Sequence, residues 1–156
     1  MSRLTAVRNS SGTALASYTY DSRSRRTALD YTNGAGADYS YDTASRLLYI
    51  DNQTGNGQHK YAYTYDDVGN RMTMAVTDSG GTRTHVYSYD NIYQITGVDY
   101  PTGFDYLATD TTFNYDAAGN RTSVIDGSGT CNYTANSLNE YTAAARLLVY
   151  MLLASN

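Results

Sequence analysis

Read for its alternation of apolar and polar positions, the chain keeps returning to one pattern: aromatic, polar, Tyr, Asp. It occurs as Tyr18-Thr19-Tyr20-Asp21, Tyr39-Ser40-Tyr41-Asp42, Tyr63-Thr64-Tyr65-Asp66, Tyr87-Ser88-Tyr89-Asp90 and Phe113-Asn114-Tyr115-Asp116. A period of two is the spacing of a β-strand, and it places both rings of each copy on one face. A sixth copy, Tyr133-Thr134-Ala135-Asn136, keeps the register with Ala for Tyr and Asn for Asp. The anchors Asp21, Asp42, Asp66, Asp90, Asp116 and Asn136 are separated by 21, 24, 24, 26 and 20 residues. Self-similarity at that period marks a tandem repeat, each copy one small supersecondary unit.

The residues just after each anchor predict how the strand turns back. Asp66-Asp67-Val68-Gly69-Asn70-Arg71 and Asp116-Ala117-Ala118-Gly119-Asn120-Arg121 place Gly fourth, the spacing of a type I turn closed by a left-handed residue, which makes a short hairpin with a bulge. The anchor carboxylate accepts turn amides, and Gly adopts positive φ without the roughly 1–2 kcal/mol strain met by other residues. The turns Asp21 to Ser24, Asp42 to Ser45 and Asp90 to Tyr93 lack the glycine and are expected to be looser or of another type. Eight positions after the anchors come Leu29, Ile50, Met74, Val98, Val124 and Ala144, the apolar positions of the returning strand. Gly-rich connections such as Asn33-Gly34-Ala35-Gly36 and Asp126-Gly127-Ser128-Gly129 separate the copies.

The expected architecture is all-β: tandem hairpins over residues 1–142 forming a continuous antiparallel sheet, curved or spiralling. Beyond Tyr141 the apolar residues at 143, 144, 147, 148, 151 and 152 have helical spacing. Residues 143–156 therefore read as a separate apolar tail, with two readings open: a short C-terminal helix, or a disordered or frame-altered extension.

Composition reinforces the strand-and-turn reading. The chain has 18 Tyr, 2 Phe and no Trp, and its acids are 14 Asp against the single Glu140. Tyr and Thr suit strands, while Asp, Asn and Gly suit turns. A net charge of −4 argues against a nucleic-acid surface. The run Leu147 to Ala154 is too short to span a bilayer, and the first residues carry no secretory signal. Cys131 is the only cysteine, which excludes an intramolecular disulfide framework.

The segments YTYDDVGNR and FNYDAAGNR, with YTANSLNEYT, resemble the YD repeats of the Rhs family, shared by the C components of bacterial Tc toxins and by teneurins. The resemblance runs from about residue 3 to residue 142, and Arg3-Leu4-Thr5 matches the second half of a repeat. It implies a strip of wall from a hollow shell that, in toxin members, encloses a toxic polypeptide. It also implies a secreted or cell-surface setting, partners that are other YD-repeat segments or an encapsulated toxin, and no cofactor. The family's self-cleaving Asp-Pro-x-Gly segment is absent, Pro101 being the only proline.

Candidate chemistry is sparse. A nucleophile and base drawn from Cys131, His59 and His85 lack a desolvated neighbourhood, the histidines reading as turn or exposed strand residues. Asp78-Ser79-Gly80-Gly81 and Asp126-Gly127-Ser128-Gly129 offer oxygens for calcium but not the dense spacing of a calcium loop. No catalytic or metal residue is expected. The repeat-defining turn comprises Asp21, Asp42, Asp66, Asp90, Asp116, Gly69, Gly119, Asn70, Asn120, Arg71 and Arg121. The rings of Tyr18, Tyr20, Tyr39, Tyr41, Tyr63, Tyr65, Tyr87, Tyr89, Phe113, Tyr115 and Tyr133 form either an internal ladder or a binding face for glycan or protein. Arg26, Arg71 and Arg121 are expected to pair with a neighbouring Asp or stack on Tyr. A third possibility is self-assembly, with copies of the chain joining through unpaired sheet edges.

Overall fold

The computed structural model describes residues 3–55, 57–101 and 109–148, with side chains up to residue 145. It divides into two compact bodies, Met1–Thr84 and His85–Asn156. The first holds β1 (Ala6–Arg8), β2 (Ala14–Tyr20), β3 (Arg26–Tyr31), β4 (Gly36–Tyr41), β5 (Leu47–Thr54), β6 (Gly57–Tyr65), β7 (Arg71–Asp78) and the start of β8 (Gly81–Tyr89). The second holds the rest of β8, β9 (Ile95–Asp99), β10 (Thr111–Tyr115), β11 (Arg121–Asp126), β12 (Gly129–Ala135) and β13 (Tyr141–Leu148). From β1 to β7, and again from β8 to β13, every strand pairs antiparallel with the next in sequence. The described residues are all-β.

Each anchor sits between the two strands of a hairpin, and each hairpin is bulged at the same place. Tyr65 pairs with Arg71 but Thr64 with Thr73, so Met72 is the extra residue. The same shift comes after Thr19, Ser40, Ser88, Asn114 and Thr134. A bulge puts two residues opposite one and reverses which face the later residues occupy. That is why the apolar residue eight after the anchor meets the aromatic three before it. Tyr18 lies opposite Leu29, Tyr39 opposite Ile50, Tyr63 opposite Met74, Tyr87 opposite Val98, Phe113 opposite Val124 and Tyr133 opposite Ala144. The opposite face is small and polar, with Thr19 bonded to Thr27, Thr64 to Thr73 and Asn114 to Ser123.

Most of the rings are half-buried, and Tyr87 with Val98, Val76, Ala16 and Ala37 form the best-covered spots, each below 9% exposure. His85, expected to be an exposed strand residue, is buried at 8%. It stands two positions before Tyr87, so the pleat sends it to the ring-bearing face, where it meets Tyr100 edge-on at 5.3 Å.

The C-terminal reading needs correction. Tyr141–Leu148 is β13, paired with β12 along its length from Ala135↔Tyr141 to Gly129↔Leu148. The Asn136 turn returns the chain against an open strand, and ladder hydrogen bonds override a helical spacing made largely of Ala. The strand runs through the expected boundary between residues 142 and 143. The rest of the expected helix, 149–156, lies outside the described residues.

Candidate functional site: the repeat turn and its links

The turn is built identically in all six repeats. The residue three after the anchor donates its amide to the anchor carbonyl: Ser24 at 3.0 Å, Ser45 at 3.1 Å, Gly69 at 3.2 Å, Tyr93 at 3.1 Å, Gly119 at 3.0 Å and Asn139 at 3.0 Å. The anchor amide then donates to the carbonyl four residues on, at 2.9–3.0 Å throughout. Gly69 and Gly119 have φ of 102° and 85°. Ser24, Ser45 and Tyr93 have φ of 66°, 67° and 66°, so the glycine-less turns are not of another type. The anchor explains why strain is tolerated there. Asp21 Oδ1 accepts from the amides of Arg23 and Arg25, Asp90 Oδ1 from Ile92 and Gln94, and Asn136 Oδ1 from Leu138 and Glu140, all at 2.9–3.0 Å. Side-chain bonds of this kind hold the backbone where propensity would not.

A second contact joins the anchor to the residue four positions later. Asp21 binds Arg25 Nε and Asp42 binds Arg46 Nε, both at 2.6 Å. Asp66 accepts from Asn70 Nδ2 at 2.8 Å, and Asp116 from Asn120 at 3.1 Å. In the last repeat the polarity reverses, with Asn136 Nδ2 donating to Glu140 at 2.9 Å. A carboxylate at one end therefore meets a donor at the other in either orientation.

These bonds lower the carboxyl pKa values. Backbone donation from Arg25 is the main cause at Asp21, and side-chain donation from Arg46 and Asn120 at Asp42 and Asp116. At Asp66 desolvation is the largest single influence and acts upward, but the bonds from the Asn70 side chain and from the amides of Asn70, Gly69 and Val68 together outweigh it. Asp78 is lowered chiefly by the Gly80 amide, and its carboxylate also binds Arg83, so two of the loop's own donors engage it. No group of three His, Cys, Asp or Glu suited to a metal occurs among the described residues.

Links run from repeat to repeat as well. Tyr20 OH donates to the Leu4 carbonyl, Tyr41 OH to Arg26, Tyr65 OH to Leu47 and Tyr115 OH to Ile95, at 2.8–3.0 Å. Arg26, Leu47 and Ile95 each lie five residues after the preceding anchor, Asp21, Asp42 and Asp90. Burial raises the Tyr65 pKa, with the neighbouring Tyr63 adding to it. Where Ala135 replaces this Tyr, its cross-strand partner Tyr141 brings a hydroxyl that accepts the Arg121 amide at 2.7 Å. In the other direction Arg25 Nη1 reaches the Asp42 carbonyl at 3.0 Å, and Arg46 Nη1 the Asp66 carbonyl at 2.8 Å. Arg3 does the same to Asp21 at 3.2 Å.

Guanidinium groups also cover the rings. Arg3 lies over Tyr20, Arg25 over Tyr41 and Arg46 over Tyr65, at 5.1, 4.7 and 4.9 Å. Arg26 lies over Tyr39 at 4.4 Å, Arg71 over Tyr63 at 5.9 Å, and Arg121 between Phe113 and Tyr133 at 5.4 and 5.6 Å. The recurring ladder therefore alternates ring and cation, each such contact contributing about 0.5–1 kcal/mol. Arg at the fourth position after the anchor, which does this in the first two repeats, is the functional residue missed by a consensus fixed on the Arg of Gly-Asn-Arg. Its presence at Arg3, Arg25 and Arg46 was the available clue. Cys131 faces Val124 across the ladder and is half-buried.

No family model and no curated protein matches the sequence. Solved structures do. A TcdB2-TccC3-Cdc42 crystal structure matches with a TM-score of 0.68 and 19% identity over 82% of this chain, and TcdB2-TccC3 without its hypervariable C-terminal region with 0.65 and 19% over 84%. A Photorhabdus luminescens Tc holotoxin pore carrying a TccC3 variant matches with 0.65 and 18% over 89%. This chain spans 8–9% of the length of those chains. At the level of the fold, these matches bear out the resemblance to the Rhs/YD-repeat family.

Proposed function

We propose that this chain is a non-enzymatic stretch of wall from an Rhs-type shell, whose work is mechanical. The observation that carries the reading is the destination of its reactive-looking groups. Anchor carboxylates end on turn amides, Tyr hydroxyls on main-chain carbonyls of the preceding repeat, and guanidiniums on rings and on the carbonyl of the following anchor. Polar groups engaged in joining repeats support a sheet that resists force, and repeat arrays derive their stability from such nearest-neighbour terms. A shell assembled from further repeats and enclosing a toxic polypeptide outside the cell is the setting that the Tc likeness supports.

Force spectroscopy tests it. A wall segment should unfold in steps of about one repeat or more, and Tyr41→Phe or Tyr65→Phe should lower the force for the first body, since each removes one joint. Unchanged force in both variants, together with saturable binding to a glycan panel that Tyr39→Ala abolishes, would replace the wall with an adhesion module.

A further inference from the structure

We infer that Arg121 centres a binding site for a carboxylate on the ring-bearing face of the second body; this inference does not depend on the wall reading. Arg121 stands five residues after its anchor, as Arg26 does. Arg26 Nη2 donates to the hydroxyl of Tyr39 in the next repeat at 2.9 Å, and Arg25 and Arg46 pair with their own anchors at 2.6 Å. The Arg121 guanidinium has neither kind of acceptor among the described residues: its Nε is buried without a hydrogen bond, and no carboxylate pairs with it. The acids of the two adjoining turns are committed elsewhere. Asp116 accepts from the Asn120 side chain and from the amides of Ala118 and Asn120, and Glu140 accepts from Asn136. A half-buried cation whose described side-chain contacts are aromatic rings keeps its donors for a ligand.

The surroundings of Arg121 define that ligand. Phe113 on β10 and Tyr133 on β12 flank the guanidinium, with centroids 5.4 and 5.6 Å from its central carbon. Approach is therefore confined to the edge of the guanidinium, where its donors form a planar fork. A flat carboxylate matches the fork with two parallel bonds and fits between the rings; a tetrahedral phosphate is thicker. Another donor lies alongside. Tyr141 OH accepts the Arg121 amide at 2.7 Å and keeps its own hydrogen to donate, and its ring lies 5.6 Å from that of Tyr133. Tyr141 is 54% exposed, so this side of the site is open to solvent. The combination occurs once in the sequence: Tyr141 is the sole Tyr five residues after an anchor position, and Ala135 stands where the other repeats carry a Tyr. The Tyr41 and Tyr65 hydroxyls, by contrast, donate to main-chain carbonyls.

The test titrates sodium acetate into the full chain at fixed ionic strength, with chloride as the balancing anion, and follows the Nε–Hε and backbone amide signals of Arg121 by NMR. Saturable shifts that chloride alone does not produce are expected. Arg121→Lys keeps the charge but loses the fork and should weaken acetate about ten-fold, read at the backbone amides of residues 121 and 122. Tyr141→Phe, which keeps the ring, should weaken it by a smaller factor. The titration of the parent chain requires no variant to fold. An N-acetyl-Gly-Asp-Gly amide run in parallel separates the sources of the carboxylate: tighter binding than acetate assigns the site to an acidic side chain of a polypeptide, and equal or weaker binding assigns it to small free carboxylates. Shifts that grow without saturating, an acetate affinity unchanged by Arg121→Lys, or phosphate binding as tightly as acetate would overturn the proposal.

Discussion

The Asp42 and Asp66 turns answer the same geometric demand with different chemistry. Both close through the same two main-chain bonds, and both hold the third residue at positive φ, Ser45 at 67° and Gly69 at 102°. At the fourth position the Asp42 turn has Arg46, which binds its own anchor and the next one's carbonyl, while the Asp66 turn has Asn70, which binds its own anchor. The lesson is that backbone conformation defines the repeat, and that a carboxylate gripping amides tolerates Ser where Gly is the relaxed choice. The second turn is locally easier; the first is tied more firmly to its neighbour.

The comparison breaks most decisively with valine. Gly69→Val and Ser45→Val should each destabilise by about 2 kcal/mol, since a β-branched residue is poorly tolerated at positive φ; denaturant midpoints read this directly. Nothing lies within 4 Å of a Cβ at Gly69, so the penalty there is backbone strain alone. A much smaller loss at 45 than at 69 would show that the two turns differ in solution.

A smaller effect concerns the joints. Tyr65→Phe removes the hydroxyl that donates to Leu47 and should cost about 1 kcal/mol, the usual net value of such a bond, with the ring still under Arg46. Smaller again, and opposite in sign, Ser45→Gly should stabilise by roughly 0.5–1 kcal/mol, the relief of strain exceeding the added chain entropy. The same change at Ser24 should do likewise.

The smallest expected effects come from pH. Asp21, Asp42, Asp66 and Asp116 are lowered from 3.8, so their contribution is fully present above that value and is lost as pH falls below it through the folded-state pKa values. Tyr65 is raised from 10.0, so its contribution is present below that pH and disappears as pH rises beyond it. Melting temperatures across pH 2–5 and above pH 10 should bend in these two places, and Tyr65→Phe should flatten the alkaline one.

Much of the fold is legible in the chain because it obeys spacing. Alternation places Tyr63 and Tyr65 on one face, and the apolar residue eight after the anchor stands out without knowledge of its partner. The features that escape depend on contacts that spacing does not encode. Ser45 and Tyr93 adopt the glycine conformation because a carboxylate holds their turns, a tertiary compensation for a local cost. Ala143 to Ala145 have helical preference but lie beside a strand in need of a partner. The exchange at Asn136 and Glu140 resembles degeneration of the repeat and is the same pairing with its polarity reversed.

The joints between repeats end on main-chain carbonyls: those of Leu4, Arg26, Leu47 and Ile95 for the Tyr hydroxyls, and those of Asp42 and Asp66 for the Arg side chains. Main-chain acceptors are present whatever residue occupies the position. If residues 43–66 were excised, Tyr41 and Asp42 would still meet the Arg26 carbonyl and Arg25, and Asp42 would enter the Asp67-Val68-Gly69-Asn70 turn as Asp66 does now. Unequal recombination between such units in a gene would thus lengthen or shorten the protein without creating an ill-fitting seam, leaving copy number free to drift.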